Sequence, residues 1–273
     1  MATVTPFRYP GAKNKMLPIL MEHLDKLIPN SQGFCDAFVG GGSVLLEVAK
    51  KYPEHILYAN DKDYWVYCFW KIVADSDAKN LYELLRLMEV QPTLELFYKL
   101  REEQTTDPIR CAYKAIFFNR TTFSGILYSG PIGGKNQASK YPVDCRYNAK
   151  KLKTKILACH DLIAGRTKVT NIDITKYDIL WGTQNPPISI TLYLDPPYYH
   201  KGDILYPEKM TAGHHEEMAR ALSARKNWVL SYDDCTEVRD LYKGKQIIDL
   251  SARYCITGKK NTWENKNELI ILP

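Results

Sequence analysis

The chain has 273 residues, 45 % hydrophobic and 25 % charged, with a net charge of +6 and seven cysteines. That suffices for one large domain or two modest ones with a sizeable core, and no run approaches the roughly 20 apolar residues needed to span a membrane. The start, MATVTPFRYPGAKNK, has no apolar run after a basic one, which argues against a secretory leader. The scattered, odd-numbered cysteines show neither a CxxC pair nor zinc spacing and point to reduced thiols in a cytoplasmic protein.

GFCDAF (33–38) reads as a short buried strand closing on a Gly-rich turn, VLLEVAKKY (44–52) as a helix, and HILYAND (55–61) as a second strand ending on Asn60-Asp61. This β–turn–α–β order opens a doubly wound α/β sheet. Within 62–115, YWVYCFWKIVADSDAKNLYELLRLM and LELFYKLREEQ carry apolar positions three and four apart and predict helices. From 116 to 148 the texture shifts to Gly, Ser, Asn and aromatics, with turn signals at Ser-Gly, Gly-Pro and Gly-Gly, and predicts a hairpin or long loop. KLKTKILACHDLI (151–163) is helical, and TKVTNID (167–173) and ISITLYLD (188–195) are strands ending on acids. HHEEMARALSARK (214–226) is a helix whose His214-His215 start reads as exposed and polar, with no partner cluster for a metal. NWVLSYDD (227–234) is a strand, and the stretches around KQIIDLSARY and NELIILP close the sheet as a hairpin. The α/β pattern runs at both ends, so one domain is interrupted by a smaller one.

Charge is uneven. From Arg110 to Lys168 there are twelve Lys/Arg against two Asp, a local balance of +10 that leaves the rest of the chain at −4. A basic segment in a near-neutral protein suggests a surface facing a polyanion. A solvated helix face at Lys150, Lys151, Lys153 and Lys155 accounts for part of the same charge.

Asp36-Ala37-Phe38-Val39-Gly40-Gly41-Gly42-Ser43 occupies a strand-to-helix turn, where glycines allow a tight turn and close approach of a ligand. Leu45 stands where a dinucleotide fingerprint needs a small residue, and no GxxxxGK[ST] is present. Asp36 would repel a phosphate, whereas Asp61, 25 residues on, suits ribose hydroxyls. A ligand with ribose and an amino or cationic group, and no phosphate, fits this set; S-adenosylmethionine is one. An ordinary strand-to-helix turn uses the same residue types.

Asp195-Pro196-Pro197-Tyr198 follows a strand at the sheet edge where open α/β folds bind ligands. The prolines fix φ and remove N–H donors, leaving the Asp195 carboxylate and a backbone carbonyl as a pair of acceptors. That pair suits an exocyclic amine with two N–H bonds, and Tyr198 offers a face for a base. Holding an aromatic amine between two acceptors localises a nitrogen lone pair otherwise spread into the ring, which prepares it for methylation.

With these residues in view, the sequence resembles the Dam-type DNA adenine N6-methyltransferases, in which the cofactor motif precedes the target-recognition region and DPPY comes last. Four stretches carry the resemblance: Phe7-Arg8-Tyr9-Pro10-Gly11-Ala12-Lys13, Asp36 to Ser43, Asn119-Arg120 with the segment after it, and Asp195 to Tyr198. The resemblance implies a Rossmann-like methyltransferase sheet with an antiparallel last strand. It divides the chain into a catalytic domain, 1–61 and 150–273, and an inserted helical and hairpin target-recognition domain, 62–149. It implies that Tyr9 and Lys13 contact the methionine end and adenosine of S-adenosylmethionine. Asp36 with Phe38, Gly40 and Gly42 would hold the methionine moiety, Asp61 the ribose and Asp173 the cofactor adenine. Asp195, which borders the cofactor, would with Pro196, Pro197 and Tyr198 hold the target adenine.

The substrate implied is duplex DNA with the target base flipped out. Arg8, Asn119, Arg120, Phe123, Lys135, Lys140 and Arg146 are the expected DNA contacts, and Phe118, Ile126, Leu127 and Tyr128 add wedge and base-reading candidates. The resemblance further implies a monomer in the cytoplasm of a bacterial or phage-infected cell, with a restriction endonuclease acting on the same site as a candidate partner. TTFSGILYSGPIGGKNQASKYPVDCRYN departs from the version that reads GATC, so the recognised sequence stays open. Two other readings stay open too: a cytosine-N4 or RNA amino methyltransferase, which the acceptor pair alone does not separate from an adenine enzyme, and a catalytically idle DNA-binding module.

Overall fold

The computed structural model describes residues 5–8, 16–174, 189–200, 210–255 and 263–273, with backbone alone for 251–255 and 263–267. Seven strands and nine α-helices are present among them, in a mixed α/β sheet of the doubly wound kind whose last strands are antiparallel. No helix of the described residues is long and apolar enough to cross a membrane. Two compact units divide the chain: Met1–Pro18 with Val39–Ile172, and Ile19–Phe38 with Asp173–Pro273. Residues 62–149 fall wholly inside the first.

In the first unit, β2 (Ile56–Asn60) pairs in parallel with β3 (Thr167–Thr170), and α2 (Ser43–Lys51) follows the glycine turn. The helices α3 (Tyr64–Ala74), α4 (Lys79–Leu87), α5 (Leu94–Glu102), α6 (Pro108–Thr121) and α7 (Ala149–Ile163) complete it. Their starts are written in the sequence. Asp63, Thr93, Asp107 and Asn148 each cap a first turn with a side-chain oxygen, and Pro108 opens α6 where its missing N–H costs nothing.

Helix α6 overturns part of the hairpin expectation. Residues 116–121 are its last turns rather than the start of a loop, and from Cys111 to Asn119 every residue is buried. The aromatic, β-branched texture that resembled a loop is that of a helix wrapped by neighbours on all sides. Beyond it, 122–148 holds only the 3-10 turn Phe123–Gly125 and an isolated bridge between Thr122 and Pro131, so it is a long loop without paired strands.

The second unit contains most of α1 (Leu17–Leu27) and a parallel run of β1 (Gly33–Asp36), β4 (Ile190–Leu194) and β5 (Trp228–Asp233). The hairpin β6 (Gln246–Cys255) and β7 (Trp263–Leu272) joins antiparallel to β5 through β7. Helices α8 (Ala212–Ser223) and α9 (Thr236–Leu241) flank β5 in sequence. The parallel strands read as near-continuous apolar runs because both faces are covered: Phe34, Leu192, Tyr193, Leu194, Val229 and Leu230 are all buried. His215 is also buried, at 1 % exposure, which corrects the exposed helix start read from the sequence. Only His214 serves the start itself, closing a capping box with Thr211.

Candidate active site

The first unit carries the glycine turn. Gly40 and Gly42 both have positive φ, 43° and 70°, which L side chains rarely adopt. A Cβ on Gly42 would lie 2.3 Å from Trp70 Cζ2, so only glycine fits above that ring. The turn is fastened from several sides. Val39 N–H donates to Asn60 O at 2.8 Å, Trp70 Nε1 to Gly40 O at 2.8 Å, and the Thr5 hydroxyl to Gly41 O.

Asp61 closes the turn. Its Oδ2 accepts from Gly40 N–H at 2.8 Å and its Oδ1 from Asp63 N–H at 2.9 Å. Burial, reinforced by the Asp63 carboxylate, pushes its pKa up to about 7 against the pull of those two N–H donors. Asn60 beside it is buried and ties β2 to the chain beyond β3 through Thr170 and both backbone groups of Ile172. Asp173 follows in irregular backbone, half-buried.

The second unit carries an acidic sheet edge. Asp36 ends β1 and is buried, in register with Tyr193 of β4, and Phe38 is half-buried two residues on. Asp195 follows β4, Asp233 ends β5, and Glu268 of β7 lies opposite Asp233. Asp195 Oδ1 accepts from the Ser231 hydroxyl at 2.9 Å, and Tyr198 donates its hydroxyl proton to Glu268 Oε1 at 2.8 Å. Tyr199 N–H donates to Asp233 Oδ1 at 3.0 Å, and its ring lies 4.8 Å from that of His215, which in turn meets the Tyr232 hydroxyl. The DPPYY loop is therefore held at its acid, at both tyrosines and, through buried Pro196, at its turn.

Each unit thus carries acids at its strand ends: Asp61 beside the glycine turn in the first, and Asp36, Asp195 and Asp233 in the second. Carboxylates accept from ammonium groups, amines and ribose hydroxyls and repel phosphate. Gly42 is glycine because the Trp70 indole fills the space a side chain would need. Acids of this kind suit a ligand that carries ribose and an amino-acid group.

The expected DNA contacts fall into two groups. Phe123 is 61 % exposed, and Lys135, Lys140 and Arg146 are exposed on the loop. Asn119 is 0 % exposed: its Oδ1 accepts from Arg8 N–H at 2.7 Å, and its Nδ2 donates to Arg8 O at 2.7 Å and Gly125 O at 3.1 Å. The amide is spent inside the protein, as a clasp for the loop. Arg8 and Arg120 are half-buried; burial and mutual repulsion push Arg120 down to about 10. Tyr128 packs on Trp65, 5.0 Å between centroids, and donates to Asp63 Oδ2 at 3.0 Å. Tyr9 and Lys13 lie outside the described residues.

Several contributors escaped the sequence reading. Arg101 stacks on Phe118 at 3.8 Å and donates to the carbonyls of Leu127 and Ser129, which holds the loop from beneath. Ser231 and Glu268 had one visible mark, a polar residue inside or beside an apolar strand. Trp70 had none.

Comparison with known proteins adds the following. The model of the D12 class of N6 adenine-specific DNA methyltransferases matches residues 9–256. A Type II methyltransferase, M.MjaIII, of Methanocaldococcus jannaschii is 23 % identical over 214 residues, covering 71 % of this chain and 69 % of the relative. A DNA adenine methylase of Salmonella typhi is 23 % identical over 287 residues, covering 97 % of this chain and 93 % of the relative. Among solved structures, a precorrin-6y C5,15-methyltransferase from Geobacter metallireducens aligns over 97 % of this chain and 92 % of that one at 9 % identity, with a TM-score of 0.41.

Proposed function

Since the chain belongs to the D12 class of N6 adenine-specific DNA methyltransferases, we propose that it methylates the N6 amine of an adenine flipped out of duplex DNA, with S-adenosylmethionine as donor and Asp195 to Tyr198 as the catalytic loop. The observation that carries the assignment of the loop is the anchored acceptor: an Asp195 carboxylate at the end of β4, held by Ser231, and followed by two prolines and a ring. Replacing Asp195 by Ala is expected to abolish transfer while leaving cofactor binding nearly intact.

Chemically, the difficulty is the amine. Its lone pair is delocalised into the purine and is a poor nucleophile. Asp195 and the carbonyl fixed by Pro196 and Pro197 each accept one N–H, drawing the nitrogen toward tetrahedral geometry. S-adenosylmethionine supplies the electrophilic methyl group. As positive charge grows on the nitrogen, the Asp195 carboxylate and the face of the Tyr198 ring stabilise it. The amine proton becomes acidic only after methylation, so no prior deprotonation is needed.

For the donor, Asp36 takes the ammonium group, the backbone of Gly40 and Gly42 with Phe38 lines the methionine moiety, Asp61 takes the ribose and Asp173 the adenine amine. Tyr9 and Lys13 complete this set as sequence assignments. The positive φ of Gly40 and Gly42 and the hydrogen bond from Gly40 N–H to the Asp61 carboxylate support the reading, because they hold the turn and the ribose-binding acid side by side.

We assign target recognition to 62–149 and the catalytic domain to 1–61 with 150–273. Exposed Phe123 is the wedge candidate for the flipped base's vacancy, and Lys135, Lys140 and Arg146 are phosphate or base-edge contacts. Arg8 and Arg120 supply the deeper positive charge. The protein acts as a cytoplasmic monomer on this reading, and a restriction endonuclease reading the same site is its candidate protein partner.

A further inference from the structure

Ser231 is a polar residue in the middle of the apolar strand WVLSYD, with 0 % exposure. A buried hydroxyl is costly unless its hydrogen bonds are met. Here they are met by the Tyr193 hydroxyl at 2.8 Å and by Asp195 Oδ1 at 2.9 Å, with the Leu194 carbonyl farther off at 3.4 Å. Serine has a single proton to give. A carboxylate at 2.9 Å outcompetes a neutral carbonyl at 3.4 Å for it. The Ser231 oxygen is then the acceptor for Tyr193, and the chain of donors runs one way: Tyr193 O–H to Ser231, Ser231 O–H to Asp195. Tyr193 keeps its proton, because burial first, then the carboxylates of Asp195, Asp36 and Glu268, hold its pKa well above the ordinary phenol value.

We propose that Ser231, oriented by Tyr193, is a positioning residue for methyl transfer: it fixes the rotation of the Asp195 carboxylate and keeps it ionised for the target amine. This rests on the reading of Asp195 as an acceptor for that amine. Among the described residues, the other carboxylates acting on Tyr193 are Asp36 from β1 and Glu268 from β7. Both are acids, so both favour a protonated Asp195, and the Ser231 donor opposes them.

The test is steady-state kinetics of Ser231→Ala and Tyr193→Phe on duplex DNA, with Asp195→Asn in parallel. Ser231→Ala is expected to lower kcat on the order of 10- to 100-fold, with KM for DNA and Kd for the cofactor unchanged. The acid limb of its pH–kcat profile should move to higher pH by about one unit, because losing a donor favours the protonated carboxyl. Tyr193→Phe, which keeps the shape, should move both quantities in the same direction by less, and carries the test if Ser231→Ala does not fold. Wild-type kcat in Ser231→Ala, or a fall in kcat with the acid limb unmoved, would overturn the proposal, since a strand-packing role predicts the second. Asp195→Asn with wild-type kcat would instead sink the reading on which it rests.

Discussion

Gly42 lies against the indole of Trp70 so closely that a Cβ on the glycine would sit 2.3 Å from Cζ2, while the same indole donates to Gly40 O at 2.8 Å. One aromatic side chain thus dictates both the shape of the turn and the identity of a residue within it. Gly42→Ala combines a positive-φ penalty of about 1–2 kcal/mol with overpacking of about 1–3 kcal/mol. It should lower the unfolding midpoint and weaken cofactor binding together. Trimming the ring in a Gly42→Ala/Trp70→Leu double variant should cost less than the sum of the single changes. Strict additivity in urea denaturation would contradict this packing account.

Asn119 offers a second test, of structure rather than chemistry. Its buried amide makes three hydrogen bonds that bind Arg8 and Gly125 to α6. Asn119→Ala should cost about 2–4 kcal/mol, since backbone groups are left without partners. A urea-determined loss under about 0.5 kcal/mol, the range of a surface substitution, would show that the amide does not clasp the loop.

The legibility of the chain followed this division. GFCDAF and LYLDPPYY declared themselves because short apolar runs ended on acids at glycine or proline turns, and local sequence is enough for that. AIFFNR did not, because its helix is buried on all sides and its start signal, Asp107-Pro108, stands well upstream. Ser231 and Glu268 acquire meaning only from strand pairing: Ser231 meets an acid 36 residues away, and Glu268 a tyrosine 70 residues away. The His214-His215 start reads as exposed because polar residue types say nothing of which face is turned inward, and His215 is buried.

Tyr198 combines a ring with an anchored hydroxyl. Tyr198→Phe keeps the stacking face and removes the donor to buried Glu268. It should reduce kcat about 10-fold, the cost of a hydrogen bond to a charged group. Tyr198→Ala should lose far more, because the face itself is gone. Equal losses in the two variants, measured by initial rates, would show that the ring does not stack on the base.

His215 and Asp61 pull stability in opposite directions with pH. Burial, then His214, hold His215 down at about 4, below the roughly 6.5 of an unfolded histidine. Its contribution is present above about 6.5 and is lost as pH falls through about 4. Asp61, raised to about 7, contributes fully below its unfolded value of about 3.9 and loses that contribution as pH rises through about 7. His215→Phe should therefore flatten the acid side of the stability curve and Asp61→Asn the neutral side. Urea midpoints across pH 4 to 8 with the wild-type pH dependence in both variants would contradict these assignments.

Basic residues on the loop predict a salt signature. If Lys135, Lys140 and Arg146 meet phosphates, each Ala substitution should weaken DNA binding and reduce the slope of log K against log salt by about 0.9. Unchanged slopes in all three would move the DNA path away from this loop.

The identity of the methylated base decides between an adenine and a cytosine enzyme. Purified protein is incubated with duplex DNA and methyl-labelled S-adenosylmethionine, and the DNA is digested to nucleosides and resolved. Label is expected in N6-methyladenine for the wild type and none for Asp195→Ala. Label in N4-methylcytosine, or label in N6-methyladenine undiminished by Asp195→Ala, would contradict the proposed function.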